Sequence, residues 1–480
     1  MIIFYCTLAL LALLEPQIPS RVWPLLALIV FIVFTKVIAK RHRAALTIMF
    51  AMTLYKVLIL ISLLMIAWGA TMRELGLIAS GPVYSLYFCL LACIFLHAAC
   101  SSFNWCSHTT GRFRRASPAP IFIPIIIWAG VVLLGVVIGT LLAKGMATGF
   151  PLIVGVDRFV YRAQSDWVFN FIVTSKPIMA AMLGVIRFRL VRTHVLQWAI
   201  DLEFVVFVGT LVLFGDKFVS VIVLVGFYVL PMLLKVRAGA FSLSPSIVFG
   251  ALALAAAVGG VTYYVYSDYG ASGWAATSQR LMSRAAGQGQ LWYASMQTGN
   301  DLVSADSAQI NDLLDVMGVG GAGNAVGQNV GIFYLILRYA PANIYASIQE
   351  GRGLVQFTGG FEAYLLLIGG HLAMMLGVAV SGLVAGIVSL YYYNSLLCGS
   401  LPGVGAAAFI YMSVYTMVNQ AAVWVVFGAR ALIYIAAVVL IDVVARALLQ
   451  LGTVRQDVVR FPTRVYAESA GGRSSDKLSE

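Results

Sequence analysis

Runs of about twenty residues that are almost wholly apolar recur from one end of the chain to the other, and each is long enough to cross the hydrocarbon of a bilayer as a helix. They fall at residues 1–14, 22–39, 45–70, 80–100, 120–143, 167–186, 195–214, 218–234, 245–267, 362–392, 403–419 and 422–445. Backbone groups in lipid have no water to bond, so each run is expected to be helical. Composition excludes the soluble alternative: with 61% hydrophobic and 10% charged residues, no globular surface could be covered. The expected fold class is therefore all-α, a polytopic membrane protein of about twelve transmembrane helices.

Lysine and arginine cluster after the second, fourth, sixth and eighth runs, as Lys40-Arg41-His42-Arg43, Arg112-Phe113-Arg114-Arg115, Arg187-Phe188-Arg189 with Arg192, and Lys235-Val236-Arg237. The tail after the last run adds Arg446, Arg455, Arg460, Arg464, Arg473 and Lys477. All five clusters fall on one face, which the positive-inside rule makes cytoplasmic, together with both termini. Most of the net charge of +12 is explained by this topology and by contact with anionic lipids, so nucleic acid is not an expected partner. The chain divides into residues 1–267 with nine spans, 268–361 as one large loop outside the cytoplasm, 362–450 with three spans, and a cytoplasmic tail, 451–480. The opening segment lacks a basic n-region and a small-residue cleavage site, and is expected to be a first short span. Six scattered cysteines show no ligand spacing, and no metal is expected.

Under this threading Arg73, Lys144, Arg158, Arg162, Lys217, Arg280, Arg284, Arg338 and Arg352 lie on the outer face, where arginine is least expected. Arg158 with Arg162, and Arg280 with Arg284, are four apart, so on a helix each pair shares a face and repels unless compensated. A diphosphate would compensate, because guanidinium forks hold phosphate oxygens in two-pronged fashion. The competing account pairs each with a nearby carboxylate, Arg162 with Asp166 and Arg158 with Asp157. After the second pair, Gly287-Gln288-Gly289-Gln290-Leu291-Trp292-Tyr293 combines glycines, amides and aromatic rings. Gln288, Gln290, Trp292 and Tyr293 suit a carbohydrate, although tryptophan and tyrosine also mark membrane interfaces. The stretch VMGVGGAGNAVGQNVG lacks the Lys-Ser/Thr of a P-loop, and Ile332–Ala346 is expected to be a half-length interfacial helix.

Transfer to a sugar hydroxyl requires a proton acceptor. Neither large outer segment contains histidine, leaving Asp157, Asp166, Asp268, Asp301, Asp306, Asp312, Asp315, Glu350 and Glu362, of which Asp166 and Asp268 flank the arginine-bearing segments. Within spans, Asp201 and Glu203 are expected to be solvated or arginine-paired, and Asp442 with Arg446 to be structural.

About twelve spans, arginine-bearing outer loops, a Gly-Asp-Lys turn at residues 215–217 and a dominant outer loop carrying RLMSRAAGQGQLWY together resemble the Wzy-type O-antigen or exopolysaccharide repeat-unit polymerases. The resemblance covers most of the chain as architecture, without the family's arginine-to-glycine spacing after these arginines. It implies a glycosyltransferase of the bacterial inner membrane that acts on undecaprenyl-diphosphate-linked oligosaccharide and needs no cofactor. It implies diphosphate binding by Arg158, Arg162, Lys217, Arg280 and Arg284, catalytic roles for Arg280 and Arg284 with a carboxylate such as Asp166 or Asp268, and a chain-length-regulating co-polymerase as partner. A lipid-linked oligosaccharide flippase and a lipid-sugar ligase are the alternatives.

Overall fold

The computed structural model describes residues 1–18, 21–72, 74–109, 123–156, 158–191, 193–216, 218–235, 260, 274–298, 302, 306–317, 330–343, 346 and 360–451. Among them the regular elements are helical apart from an isolated antiparallel bridge, Met72 to Leu77. The helices are α1 (Ile2–Leu14), α2 (Trp23–Ile48), α3 (Phe50–Ala67), α4 (Ser85–Thr109), α5 (Ile123–Thr148), α6 (Pro151–Val154), α7 (Arg158–Ala163), α8 (Trp167–Val185), α9 (His194–Leu213) and α10 (Phe218–Lys235). After these come α11 (Trp274–Ala286), α12 (Gln290–Thr298), α13 (Ser307–Val316), α14 (Ile332–Tyr339), α15 (Phe361–Cys398), α16 (Leu401–Gln420), α17 (Trp424–Phe427) and α18 (Ala429–Leu451). A π-helical turn, Ile186–Leu190, follows α8.

Eight stretches are helical, long and apolar enough to cross a membrane: Trp23–Ile48, Phe50–Ala67, Ser85–His108, Ile127–Val154, Trp167–Phe188, His194–Leu213, Phe361–Cys398 and Leu401–Gln420. The protein is thus a nearly all-helical membrane protein. Expected runs 1–14 and 218–234 are shorter apolar helices, and 422–445 is broken at Gly428 into α17 and α18. The expected span 245–267 lies outside the described residues except for Gly260, as do Asp157, Lys217, Asp268, Asp301, Glu350, most of the glycine-rich stretch and the tail.

The two arginine-bearing helices share one end of the bundle. On α3, Ser62 Oγ donates to Ala286 O and accepts from Gly289 N, both at 2.7 Å, which seats the α11–α12 turn near the C-terminal end of α3. The α4 N-terminus is at that end too, since Trp292 Nε1 donates to Tyr84 O at 3.3 Å. Helix α15 runs parallel to α4, because Gly382 lies against Phe95 and Gly386, one turn on, against Ala99. The start of α16 faces the C-terminal end of α8, Gly405 lying against Ile178 and Met182, so the N-terminus of α8, with α7 just before it, returns to the end where α4 begins. The opposite end holds Lys40, Arg41 and Arg43, whose neighbour His42 bonds Asn104 near the end of α4, and Arg187 beyond α8. The first basic cluster belongs to α2, whose helical geometry is interrupted at His42.

Helix α15 doubles back on itself. At Gly370 the backbone adopts φ 74° and ψ −171°, a region open essentially to glycine alone. In a straight helix Leu365 and Gly377 would be about 18 Å apart, yet a Cβ at Gly377 would lie 2.7 Å from Leu365 Cδ1. Residues 361–369 therefore form a short arm folded against the long arm, 371–398. The reversal is pinned from outside by Leu372 N donating to Leu302 O at 3.1 Å and Asp306 N donating to Ile368 O at 3.3 Å. The expected single span 362–392 is corrected accordingly: its first turns climb from mid-bundle to the bundle end before the chain descends.

Helix α14 ends before Pro341, which can donate no backbone hydrogen bond. Leu335 and Ile336 on it are buried, and Ile332 N donates to Ala421 O at 3.2 Å. Its buried face packs inward over the short arm, and Leu337 and Arg338 are exposed on the other.

Candidate functional site

At the shared end, α7 and α8 gather one group of charges. Arg162, in the last turn of α7, donates through Nε to Asn170 Oδ1 at 3.1 Å and through Nη2 to Thr174 Oγ1 at 2.8 Å. Partial burial lowers its pKa, and nearby Asp216 acts against that shift. Asp166 is not its partner. It caps α8 by accepting from Phe169 N at 2.8 Å, and it pairs with Lys144. The Lys144 hydrogen bond, followed by the Phe169 amide, holds the Asp166 carboxyl below the ordinary aspartate range. That suits a cap and disfavours a proton acceptor at neutral pH. Lys176, nine residues into α8, pairs with Asp216 of the Gly-Asp-Lys turn. Arg158 opens α7, and its side chain is outside the described set.

The second pair is held differently. Arg284, half exposed, donates to Glu74 Oε1 at 3.3 Å, and Gln290 Nε2 donates to Glu74 Oε2. Arg280, one turn earlier on α11, is partly buried. Arg162 is thus held by neutral groups of α8, and Arg284 by a carboxylate of the segment after α3.

The run Gly287–Tyr293 does not form an exposed sugar platform. Gly289 spends its amide on Ser62, and a Cβ there would lie 2.9 Å from Ser62 Oγ, so glycine permits the close approach of two helices rather than of a ligand. Gln290 and Trp292 are fully buried and Tyr293 nearly so, while Gln288 is partly buried. Trp292 meets Phe88 edge-on at 5.4 Å, and the Tyr293 hydroxyl accepts from Ser80 N at 3.0 Å. The expected stacking roles are corrected: both rings are committed to the core between α12 and α4, where a large indole contributes most by burial.

Other charges settle as structural. Arg187 holds Asp201 through two bonds of 2.7 and 2.8 Å, agreeing with the expected arginine pairing, and Tyr228 donates to the same carboxylate at 2.5 Å. Asp442 accepts from Tyr391 at 2.5 Å. Asp306 caps α13 and accepts from Tyr334 at 2.7 Å, the hydroxyl being the main cause of its lowered pKa.

Sequence reasoning passed over Lys56. It lies on α3 about 16 Å below the C-terminal end by helical rise, and it pairs with Glu362 in the first turn of the short arm. Both side chains are 1% exposed. The ammonium also sits 5.8 Å from the Phe88 ring and 5.3 Å from the Phe95 ring. Glu362 was one of nine carboxylates without distinction. The signal the sequence did offer was Lys56 itself, a lone lysine inside an apolar run, since ionisable groups at such depth mark functional positions by default.

Among the described residues no cluster of three or more metal-ligating side chains occurs. Residues 325–435, less than a quarter of the chain, match a protein family of unknown function (DUF6418). The matched stretch holds α14, both arms of α15, α16 and α17. No curated protein and no solved structure matches the chain.

Proposed function

We propose that this protein polymerises polyprenyl-diphosphate-linked oligosaccharide units on the outer face of a bacterial inner membrane. In this reading about twelve spans place both termini in the cytoplasm, and residues 268–361 form the outer segment. The observation that carries it is the position of α7 and α11: both arginine-bearing helices lie at the bundle end opposite Lys40–Arg43 and Arg187. Cations held away from the cytoplasmic end call for an anion there, and the diphosphate of a lipid-linked sugar supplies one at the membrane edge.

The growing glycan leaves its carrier as the acceptor hydroxyl of a new unit attacks the anomeric carbon. The C–O bond to diphosphate breaks, and its electron pair departs with the polyprenyl diphosphate. Arg162, Arg280 and Arg284, with Arg158 and Lys217, would stabilise the negative charge that develops. Arg284 can serve this way because its bond to Glu74 is long and half exposed, an interaction worth at most about 1 kcal/mol.

Loss of the gene is expected to leave a surface glycan of a single repeat unit. Loss of outward-facing lipid-linked units altogether would instead indicate a flippase. Arg280→Lys and Arg284→Lys keep the charge but lose the fork, and each is expected to slow chain extension by about 100-fold at normal protein abundance. Unchanged chain length in both, and in the alanine variants, would defeat the diphosphate role. Orientation has its own check: a reporter fused after Thr298 is expected to be active only outside the cytoplasm, and one fused after Arg114 only inside.

A further inference from the structure

The short arm begins in mid-bundle, and the elements packed around its start carry polar atoms that the protein leaves unsatisfied. Glu362 gives Oε1 to Lys56, whereas Oε2 is buried with no hydrogen-bond partner. Asn419, in the last turn of α16, is wholly buried, and neither its amide nitrogen nor its oxygen has a partner. The Tyr415 hydroxyl, one turn back on the same helix, lies beside its amide. On α12, Gln290 donates to Glu74 and leaves Oε1 buried and unbonded.

These residues belong to three elements that converge on Gly360. A Cβ there would meet Leu335 at 2.8 Å, Leu291 at 3.3 Å and Ala421 at 3.6 Å. Leu291 adjoins Gln290 in the chain, while Asn419 and Glu362 are each two residues from the junction. Orphan polar atoms cost free energy when shielded from water, and several at one junction between helices distant in sequence is a pattern that a ligand explains.

The chemistry of the orphans selects the ligand. Three are acceptors, Glu362 Oε2, Gln290 Oε1 and Asn419 Oδ1, against one donor group, Asn419 Nδ2. A phosphate brings mainly acceptors and negative charge, and would be repelled. A neutral sugar brings hydroxyls, each able to donate, and one that can accept from Asn419.

We infer that Glu362, Asn419 and Gln290 form the acceptor-sugar site, with Glu362 Oε2 as the proton acceptor. This rests on the polymerase reading. The acceptor hydroxyl gives its proton to Glu362 Oε2, its oxygen forms the new bond to the anomeric carbon, and the diphosphate leaves with the electrons of the broken bond. The proton then passes from Glu362 to water or the departing diphosphate, which restores the carboxylate. Lys56 is a positioning residue: it holds Oε1 and so fixes the carboxylate, leaving Oε2 unengaged. Because these atoms are closed to solvent, α12 and α14 must part from Gly360 to admit the sugar.

The test uses the full chain in membrane vesicles, with two readouts. One is chain extension on lipid-linked units; the other is retention of radiolabelled neutral oligosaccharide released from the strain's own lipid-linked pool. Glu362→Gln alone leaves Lys56 uncompensated and can fail to fold, so Lys56→Met with Glu362→Gln, which removes both charges, is the decisive variant. It is expected to restore abundance yet extend chains about 100-fold more slowly than the natural protein. Asn419→Leu, close in volume, is expected to weaken oligosaccharide retention about tenfold, as loss of a hydrogen-bonding group to a buried hydroxyl does. Extension at the natural rate in the double variant would show the pair to be a packing device only. If the natural protein extends no chains, the polymerase reading fails, and the retention measurement decides alone: equal retention by the natural protein and Asn419→Leu would mean that ordered water fills the junction, overturning the sugar site.

Discussion

Trp292→Ala is expected to lower the stability of the full-length protein by about 3–5 kcal/mol, the range for deleting a large ring from a packed interior. The indole is completely buried, edge-on to Phe88 at 5.4 Å and bonded to Tyr84 O. Its loss opens a cavity at the point where α12 inserts beside α4, and takes away the anchor of the α11–α12 segment. Trp292→Phe keeps much of the apolar volume and is expected to lose considerably less. The measurement is thermal unfolding in lipid nanodiscs, with protease cleavage in residues 274–298 as a local probe. A sugar-stacking tryptophan would behave oppositely, with unchanged unfolding and impaired glycan binding, and that result would return Trp292 to the ligand site.

Gly370→Ala should be nearly as damaging, through the backbone instead of a cavity. At φ 74° and ψ −171° an alanine is strained by about 1–3 kcal/mol. The alternative open to the chain is to straighten, which carries Glu362 away from Lys56 and adds an uncompensated buried charge. The two routes can be told apart by cross-linking: Leu365→Cys with Gly377→Cys should form a disulfide in the folded-back arm and fail to form one if the arm extends. A Gly370→Ala protein that is stable and still cross-links would show that the reversal is held by its surroundings, notably the bonds at residues 302 and 306, and not by glycine.

Much of the helical architecture was legible because lipid leaves the backbone few options: long apolar runs such as Trp23–Ile48 and Leu401–Gln420 mean helix wherever they occur. The reversal in α15 was not. Hydropathy averages over a window, and Phe361–Cys398 is apolar throughout, so a change in chain direction at one glycine leaves no trace in it. The arginine pairs were legible as pairs, through four-residue spacing, while their partners Asn170, Thr174 and Glu74 were not, because each is supplied by an element whose placement depends on packing. Trp292 and Tyr293 were misread for a related reason. An amphipathic ring beside glycines fits a glycan or a membrane interface equally well in one dimension, and only the insertion of α12 next to α4 shows that a third use, core packing, prevails. Lys56 and Glu362, 306 residues apart, could be joined only by the fold itself.

That separation has a meaning for how the protein is made. Lys56 reaches the membrane while Glu362 is still 306 codons from translation, a delay of about 15–60 s at ordinary synthesis rates. For that interval a lone ammonium stands within an apolar helix, where a charge is costly. The early helices must therefore linger near the insertion machinery or bring water in with them, and release into lipid becomes favourable only when the short arm arrives to neutralise the lysine. Ribosomes that stop before residue 360 would leave a lysine that nothing neutralises, so this ion pair records that synthesis has passed the short arm.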